Sequence, residues 1–283
     1  MAHEAMGVAP DGAGQTGPSG DGEPLSHVLE GTTLRVIVSG RRADVVLDDP
    51  LRRNPQTPRT WLALAAAAEW LDDRADVVVL RATGPSFSAG LDRGAFSPQG
   101  LPGEPGLVQL AALPEAEIDP VIATFQRGFS LWSDSHFLSI AAVQGHAIGA
   151  GFQLALAADL RIAADDVQLA MREPTLGLVP DLGGTKPLVD AVGYPRALEI
   201  CATGRAVGAA EALALGLVQR VVPAAGLTQA VDETVQALLA ADLGAILATR
   251  ALLRDAGGRD GEQQRAAERA AQIGRLRVLL GRA

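Results

Sequence analysis

The sequence predicts an α/β fold with a largely parallel sheet. Three observations carry that prediction. Short apolar, β-branched runs alternate with longer helical stretches, and such alternation requires the crossover connections that join parallel strands. One of these runs, 139–143, leads into a glycine-rich turn that opens straight into an alanine-rich helix. From about Gly226 onward strand patterns cease and the chain reads as helix.

The elements follow in order. Residues 1–31 are rich in Gly, Pro, Asp and Ser and lack apolar periodicity, so a disordered N-terminal extension is expected. Residues 34–38 and 44–47 read as strands flanking a hairpin turn at Ser39-Gly-Arg-Arg42. Thr57-Pro58 is an N-cap and first-turn proline pair that starts a helix running to Leu71. A buried strand follows at 77–80 and a turn region at 82–90, then a long Gly/Pro-rich loop at 98–114. Residues 117–133 read as helix, 139–143 as strand and 149–158 as helix. Strands are expected at 160–164 and 167–171, helices at 182–192, 195–203 and 209–215, and a last strand at 217–222. Trp61 and Trp70 lie on one alanine-rich helix, where core packing is expected of both. No internal sequence repeat stands out.

Composition excludes several classes of function. The 283 residues carry a formal net charge of −9, which argues against nucleic acid as the main partner. The positive charge is almost wholly arginine, with Lys186 the one lysine, a bias that fits genome composition better than function. A single cysteine, Cys201, rules out an intrachain disulfide and suits a reducing, cytoplasmic setting. Four scattered histidines give no metal-ligand spacing. No apolar run reaches the ~18 residues of a membrane span, and the N-terminus lacks the form of a secretory signal.

The glycine turn offers free backbone N–H groups at the positive end of a helix dipole, a place for an anion or for an oxygen that becomes anionic. One polar side chain, Gln153, sits just inside that helix among apolar neighbours. Around it, four motifs occur in sequence. They are Phe87-Ser-Ala-Gly-Leu-Asp92; Ile140-Ala-Ala-Val-Gln-Gly-His-Ala-Ile-Gly-Ala-Gly-Phe-Gln-Leu-Ala-Leu-Ala-Ala-Asp159; Arg172-Glu-Pro-Thr-Leu-Gly-Leu-Val-Pro-Asp-Leu-Gly-Gly-Thr185; and Thr203-Gly-Arg205 followed by Ala209-Ala-Glu-Ala and Gly216-Leu-Val. In this order and spacing they resemble the signatures of the crotonase (enoyl-CoA hydratase/isomerase) superfamily, over about Thr33 to Leu243.

The resemblance implies a crotonase-type spiral of ββα units with perpendicular sheets, a core over 32–225 and a C-terminal helical trimerisation region over 226–283. It implies homotrimers, often paired into hexamers, and acyl-CoA thioesters as substrates. Coenzyme A is then part of the substrate, and no separate cofactor or metal is called for. It assigns the oxyanion-hole donors to the N–H groups of Leu91 and Ala150, where only backbone atoms are needed. It places Glu173 on the family's catalytic glutamate, a group that apolar surroundings would bring toward neutral titration. Gln153 falls where ordinary hydratases carry a second glutamate. A carboxamide orients partners by hydrogen bonds but cannot accept and return a proton.

Three readings of that vacancy stay open: a one-glutamate isomerase, a hydratase in which Gln153 holds the water, and an acyl-CoA-binding protein without catalysis. Asp181 matches a position that is catalytic in some relatives; otherwise it would cap the helix expected from Leu182. By the same resemblance Arg52 and Arg53 match a position that meets CoA phosphates. The resemblance also implies that Ala89, Gly90, Asp92, His146, Gly149, Gly151 and Pro180 line the CoA and acyl path. His146 is expected to be structural. The segment 275–283 does not match the basic, aromatic tail with which relatives help cover CoA.

Overall fold

A computed structural model describes residues 29–281. The expected disorder at the N-terminus therefore falls, except for 29–31, outside the described residues. Those three form a turn, and Leu29 packs on the core.

The chain is built by winding one unit repeatedly. An antiparallel hairpin, β1 (Leu34–Ser39) and β2 (Arg42–Leu47), opens it, pairing Leu34 with Leu47 and Ser39 with Arg42. Thereafter a long strand, a short strand and a helix recur. β2 leads to β3 (Pro55–Gln56) and α1 (Pro58–Leu71). β4 (Val77–Ala82) leads to β5 (Gly90–Leu91), then α2 (Leu107–Ala111) and α3 (Glu115–Asp134). β6 (Leu138–Val143) leads to β7 (His146–Ile148) and α4 (Ala150–Ala157). β8 (Leu160–Ala164) leads to β9 (Gln168–Ala170), then α5 (Thr185–Val192) and α6 (Tyr194–Thr203). A last turn supplies β10 (Val207–Gly208), α7 (Ala209–Ala214) and β11 (Arg220–Val222).

The long strands form one six-stranded sheet of order β1-β2-β4-β6-β8-β11, parallel from β2 onward. The short strands form the second layer, β3 with β5 and β7 with β9 and β10, joined by a parallel bridge between Ser88 and Ala147. This is the crotonase fold that the sequence motifs imply. The repeat is one of structure without sequence identity, because each turn need conserve only apolar spacing.

Two hydrophobic clusters hold the main sheet from its two faces. The larger contains Val78, Leu80, Ala141 and Val143 with α1, α3 and α4. The smaller joins Val77, Val79, Ile140, Ala142 and Ile162 to Leu227, Val231 and Val235 of α8 (Leu227–Leu239). β4 and β6 are thus covered on both sides, which explains why they read as unbroken apolar runs. Two further helices, α9 (Leu243–Asp255) and α10 (Gly261–Leu279), complete the C-terminal region. α9 is tied to the sheet by Arg250, whose Nη1 donates to Phe137 O at 2.8 Å and to Asp159 Oδ2 at 3.2 Å. Among the described residues no single helix is long and apolar enough to cross a membrane.

Several boundaries differ from expectation. The glycine turn after β6 is interrupted by β7, whose pairing with β9 is invisible in a three-residue apolar fragment. The loop at 98–114 holds the short helix α2. α5 begins at Thr185, not Leu182, and its N-cap is Gly184, so Asp181 caps nothing. Trp70 packs against the core as expected but is only half-buried, with the Arg74 guanidinium 4.8 Å from its ring centre. Trp61 is buried as expected, against Phe125 at 5.2 Å and Phe129 at 6.2 Å between ring centres. Thr57 does cap α1, accepting from Thr60 N at 3.3 Å, with Pro58 at the first position.

α1 and α3 approach closely at Gly128, where an added Cβ would stand 2.4 Å from Trp61 O. Backbone on both sides leaves nothing flexible to yield. Gly128→Ala is therefore expected to destabilise the fold by about 1–3 kcal/mol despite its better helix propensity, measured by denaturant unfolding.

Candidate active site

The site forms where the second layer meets the start of α4. Three buried polar side chains fix β5. Asn54 Nδ2 donates to Thr83 O at 2.9 Å and Ser86 O at 2.8 Å, while its Oδ1 accepts from Asp49 N at 2.7 Å. Gln56 Nε2 donates to Ser88 Oγ at 3.1 Å, and its Oε1 accepts from Trp61 Nε1 at 2.9 Å. Ser88 Oγ donates to Asn54 O at 2.7 Å and accepts from Gly90 N at 3.2 Å. None of the three was singled out from the sequence. Polar residues in a two-residue strand, as Gln56 is, or in the segments beside one, as Asn54 and Ser88 are, carry no periodic signal, and only burial reveals them.

β5 lies hard against the entry to α4. Gly90 has φ +85°, and a Cβ there would stand 2.4 Å from Ile148 O. Gly149 has φ +53°, and its N–H donates to Ala170 O at 2.8 Å. Asp92 N donates to Gln56 O at 2.8 Å, toward β3. The same would-be Cβ of Gly90 stands 3.6 Å from Ala150 N, so the strand that carries Leu91 runs beside the start of α4. Ala150 is the first residue of α4, where a backbone N–H has no intrahelical acceptor. The two segments that carry the backbone donors expected from sequence, at Leu91 and Ala150, therefore lie side by side.

Glu173 opens a short 3-10 turn, Glu173–Leu176, and its carboxylate hangs over the same point. Its Oε1 is 3.2 Å from where a Cβ of Gly149 would be. Gln153 is 1% exposed and bridges two elements. Its Nε2 donates to Glu173 Oε1 at 2.7 Å. Its Oε1 accepts from Leu182 N at 3.0 Å and Gly184 N at 3.2 Å. The second carboxylate oxygen of Glu173, Oε2, is buried and has no hydrogen-bond partner. Burial pushes the Glu173 carboxyl above its ordinary value; the Gln153 amide opposes this, and the negative charge of Asp181 adds to it.

Asp181 is half-buried and also pushed up by burial, while its carbonyl accepts from Gln126 Nε2 of α3 at 2.7 Å. Pro180 sits beside it, half-buried. Cys201 on α6 is half-buried, and burial, then the charge of Glu173, raises its thiol.

The remaining candidates are more peripheral. Arg52 donates through Nη2 to the buried Asp92 at 2.5 Å, which in turn accepts from Gly94 N at 2.8 Å. Arg52 is thus held at the mouth of β5 with its guanidinium 61% exposed. Arg53 takes a left-handed backbone, φ +63°; its carbonyl accepts from Ala89 N at 2.8 Å and its side chain is exposed. Ala89 is exposed beside it. His146 is exposed, and its Nδ1 lies 3.3 Å from Ser86 Oγ, in keeping with a structural role. Gly151 packs on Ser88, with 2.7 Å between its would-be Cβ and Ser88 Cβ.

Comparison with known proteins places the fold in a family. The profile of the Enoyl-CoA hydratase/isomerase family matches residues 43–274. The chain is 33% identical over 197 residues to a probable enoyl-CoA hydratase of Mycobacterium tuberculosis, covering 68% of this chain and 69% of that one. A crystal structure of a provisionally assigned enoyl-CoA hydratase from Thermobifida fusca YX in complex with CoA superposes with TM-score 0.85 at 45% identity, over 91% of this chain and 98% of that one. The same protein in complex with acetoacetyl-CoA gives TM-score 0.85 at 46% identity, over 89% and 98%. The chain belongs to the enoyl-CoA hydratase/isomerase family.

The buried carboxyl has a thermodynamic signature. Its folded proton affinity is raised above the ordinary 4.5, so over the intervening pH window the folded state holds the extra proton. Stability therefore falls as pH rises through that window, and the penalty is absent below the unfolded value. Glu173→Gln keeps the contact with Gln153 and removes the charge. It is expected to raise the unfolding free energy at pH 7.5 and to lose that advantage at pH 4, measured by denaturant titration at both.

Proposed function

We propose that this protein is an enzyme acting on acyl-CoA thioesters, in which the N–H groups of Leu91 and Ala150 receive the thioester oxygen as it gains enolate charge. Glu173 moves the proton. The observation that carries this reading is the Glu173 carboxylate, held over the N-terminus of α4 with one oxygen bound by Gln153 and the other unpartnered. Oε1 keeps the amide as its donor throughout. Oε2 is then the oxygen that takes a proton from a carbon of the substrate and returns it. Two preorganised donors acting away from water stabilise the enolate, and one such donor typically contributes 10²–10³-fold.

Among reactions of this class, double-bond isomerisation fits best. It needs a single group to carry one proton between two carbons. Hydration by two carboxylates needs a second acid at position 153. The amide there has its carbonyl occupied by two backbone donors and one N–H committed to Glu173, so one N–H alone is left for a water. Asp181 supports a second reading, in which two half-buried carboxylates at the site divide the proton transfers. Exposed apolar residues on α9 and α10, Leu253, Ile273, Leu276 and Leu279, support trimeric assembly through the C-terminal helices.

Incubation with 2-enoyl- and 3-enoyl-CoA, followed by mass and absorbance, tests the proposal. Isomerisation moves the double bond without mass change, whereas hydration adds one water. Glu173→Gln is expected to lower kcat at least about 10²-fold. Turnover that survives this substitution would remove Glu173 from the chemistry. Acyl-CoA binding without turnover on any enoyl-CoA would support a binding protein instead. Gln153→Glu is expected to raise hydration of a 2-enoyl-CoA about tenfold or more by restoring an acid at 153; unchanged hydration would show that the amide is not what limits that reaction.

A further inference from the structure

α4 is the helix whose first N–H is assigned to the thioester oxygen, and its other end is clamped by a buried cation. Arg161 is 9% exposed. Its Nη1 donates to Ala158 O at 2.8 Å and lies 3.5 Å from both Ala155 O and Leu156 O. Its Nε donates to Leu217 O at 2.6 Å, and its backbone N–H donates to Gln219 Oε1 at 2.8 Å. The carbonyls at this end are the negative pole of α4. Burial brings the guanidinium down to about 10, so it stays charged at neutral pH. Among the described residues no hydrogen bond joins the guanidinium to a carboxylate. The nearby acid, Asp159, instead accepts from Ser139 N at 2.9 Å, Ser139 Oγ at 3.0 Å and Arg250 Nη1 at 3.2 Å.

We propose that Arg161 is a positioning residue for the reaction: it holds α4 by its C-terminal carbonyls and cancels their negative pole, strengthening the positive field that Ala150 N–H presents to the enolate oxygen. This rests on the reading of Leu91 and Ala150 as the oxyanion donors. The magnitude follows from distance. Eight residues at 1.5 Å rise span about 12 Å, and the offset of the guanidinium beyond the last turn brings it about 14 Å from the oxygen; across an interior of effective dielectric ~20 a unit charge there changes enolate stability about sevenfold. A helix this short has its two poles close together, so its far end still influences the near one.

Acetoacetyl-CoA reports the field directly, because its bound enolate absorbs in the near ultraviolet and can be titrated without turnover. Arg161→Gln keeps an amide donor for the carbonyls and removes the charge. It is expected to raise the pH at which bound acetoacetyl-CoA ionises by about 0.9 unit and to lower kcat about sevenfold, with KM within twofold. Arg161→Lys is expected to recover most of that ionisation pH even where its melting temperature is lower. Asp159→Asn removes the nearby opposing charge, keeps an acceptor for Ser139, and is expected to shift the ionisation pH downward.

The opposite signs separate a field from a structural loosening, which would raise the value in both variants. An unchanged ionisation pH in Arg161→Gln, or a rise in Asp159→Asn, overturns the proposal. Should Arg161→Gln not fold, the sign in Asp159→Asn and the recovery in Arg161→Lys still decide it. If the wild-type protein binds acetoacetyl-CoA with no shift in its ionisation, the oxyanion assignment itself is what fails.

Discussion

A helix with no access to water must have its end groups satisfied by protein or ligand, and α4 is such a helix. Every residue from Ala150 to Leu156 is buried. The unpaired carbonyls at one end and the unpaired N–H groups at the other would each cost about 1–3 kcal/mol if left alone. At the C-terminal end Arg161 meets the carbonyls from within the chain. At the N-terminal end β5, the Gly149 turn and Glu173 crowd around the first N–H. The fold supplies only part of the partnership there, and a substrate oxygen can supply the rest. Much of the surrounding structure serves this one requirement. The Asn54–Gln56–Ser88 network fixes β5, Gly90 lets it approach, and β7 aligns the entry to the helix.

Gln153 performs the corresponding task for the acid. It satisfies two backbone N–H groups of the loop before α5 and gives an N–H to Glu173, so it fixes the distance between that loop and the carboxylate. A residue with this many committed bonds is poorly suited to chemistry of its own. It acts on Glu173, in two opposed ways. Burial of the carboxyl, to which the buried Gln153 contributes, raises its proton affinity, while donating to Oε1 lowers it. The balance favours burial, which moves the group toward the range in which it can both take and return a proton.

The sequence made the main sheet legible because β4 and β6 are buried on both faces and write continuous apolar runs. It made α1 legible because Thr57-Pro58 is a local signal. It did not reveal β3, β5, β7 or β10, whose two or three residues pair with strands far away and leave no period to read. Among site residues, Glu173 and Leu91 were reachable only through motif resemblance, whereas the glycine turn itself pointed to Gln153 and to the free N–H groups at the start of its helix. The spacing of Glu173 from Ala150 says nothing about proximity, which arises because β9 pairs with β7. Asp181 was misjudged as a cap because the Gly183-Gly184 pair after it permits the helix to start later, at Thr185. Arg161 looked like one of many arginines in an arginine-rich chain, and its burial has no sequence signature at all.

The consequence of an amide at position 153 can be argued one step further. A glutamate there could accept the same two backbone N–H groups from Leu182 and Gly184, since it offers an equivalent oxygen. Its other oxygen would then face Glu173 Oε1 at hydrogen-bond distance, and two carboxylates so placed must share a proton. That shared proton is useful for adding water, where one group removes a proton as the other supplies one. It is a hindrance for moving a single proton between two carbons, because the pair would titrate together and either oxygen could lose it. With an amide at 153 the proton has one owner. The direction of the amide is fixed by the two backbone donors on its carbonyl, so its N–H can only point at Glu173 and cannot exchange roles with it. Under the proposed chemistry, the backbone of the loop before α5 thereby selects which carboxylate oxygen carries the proton, and it does so through Gln153 alone.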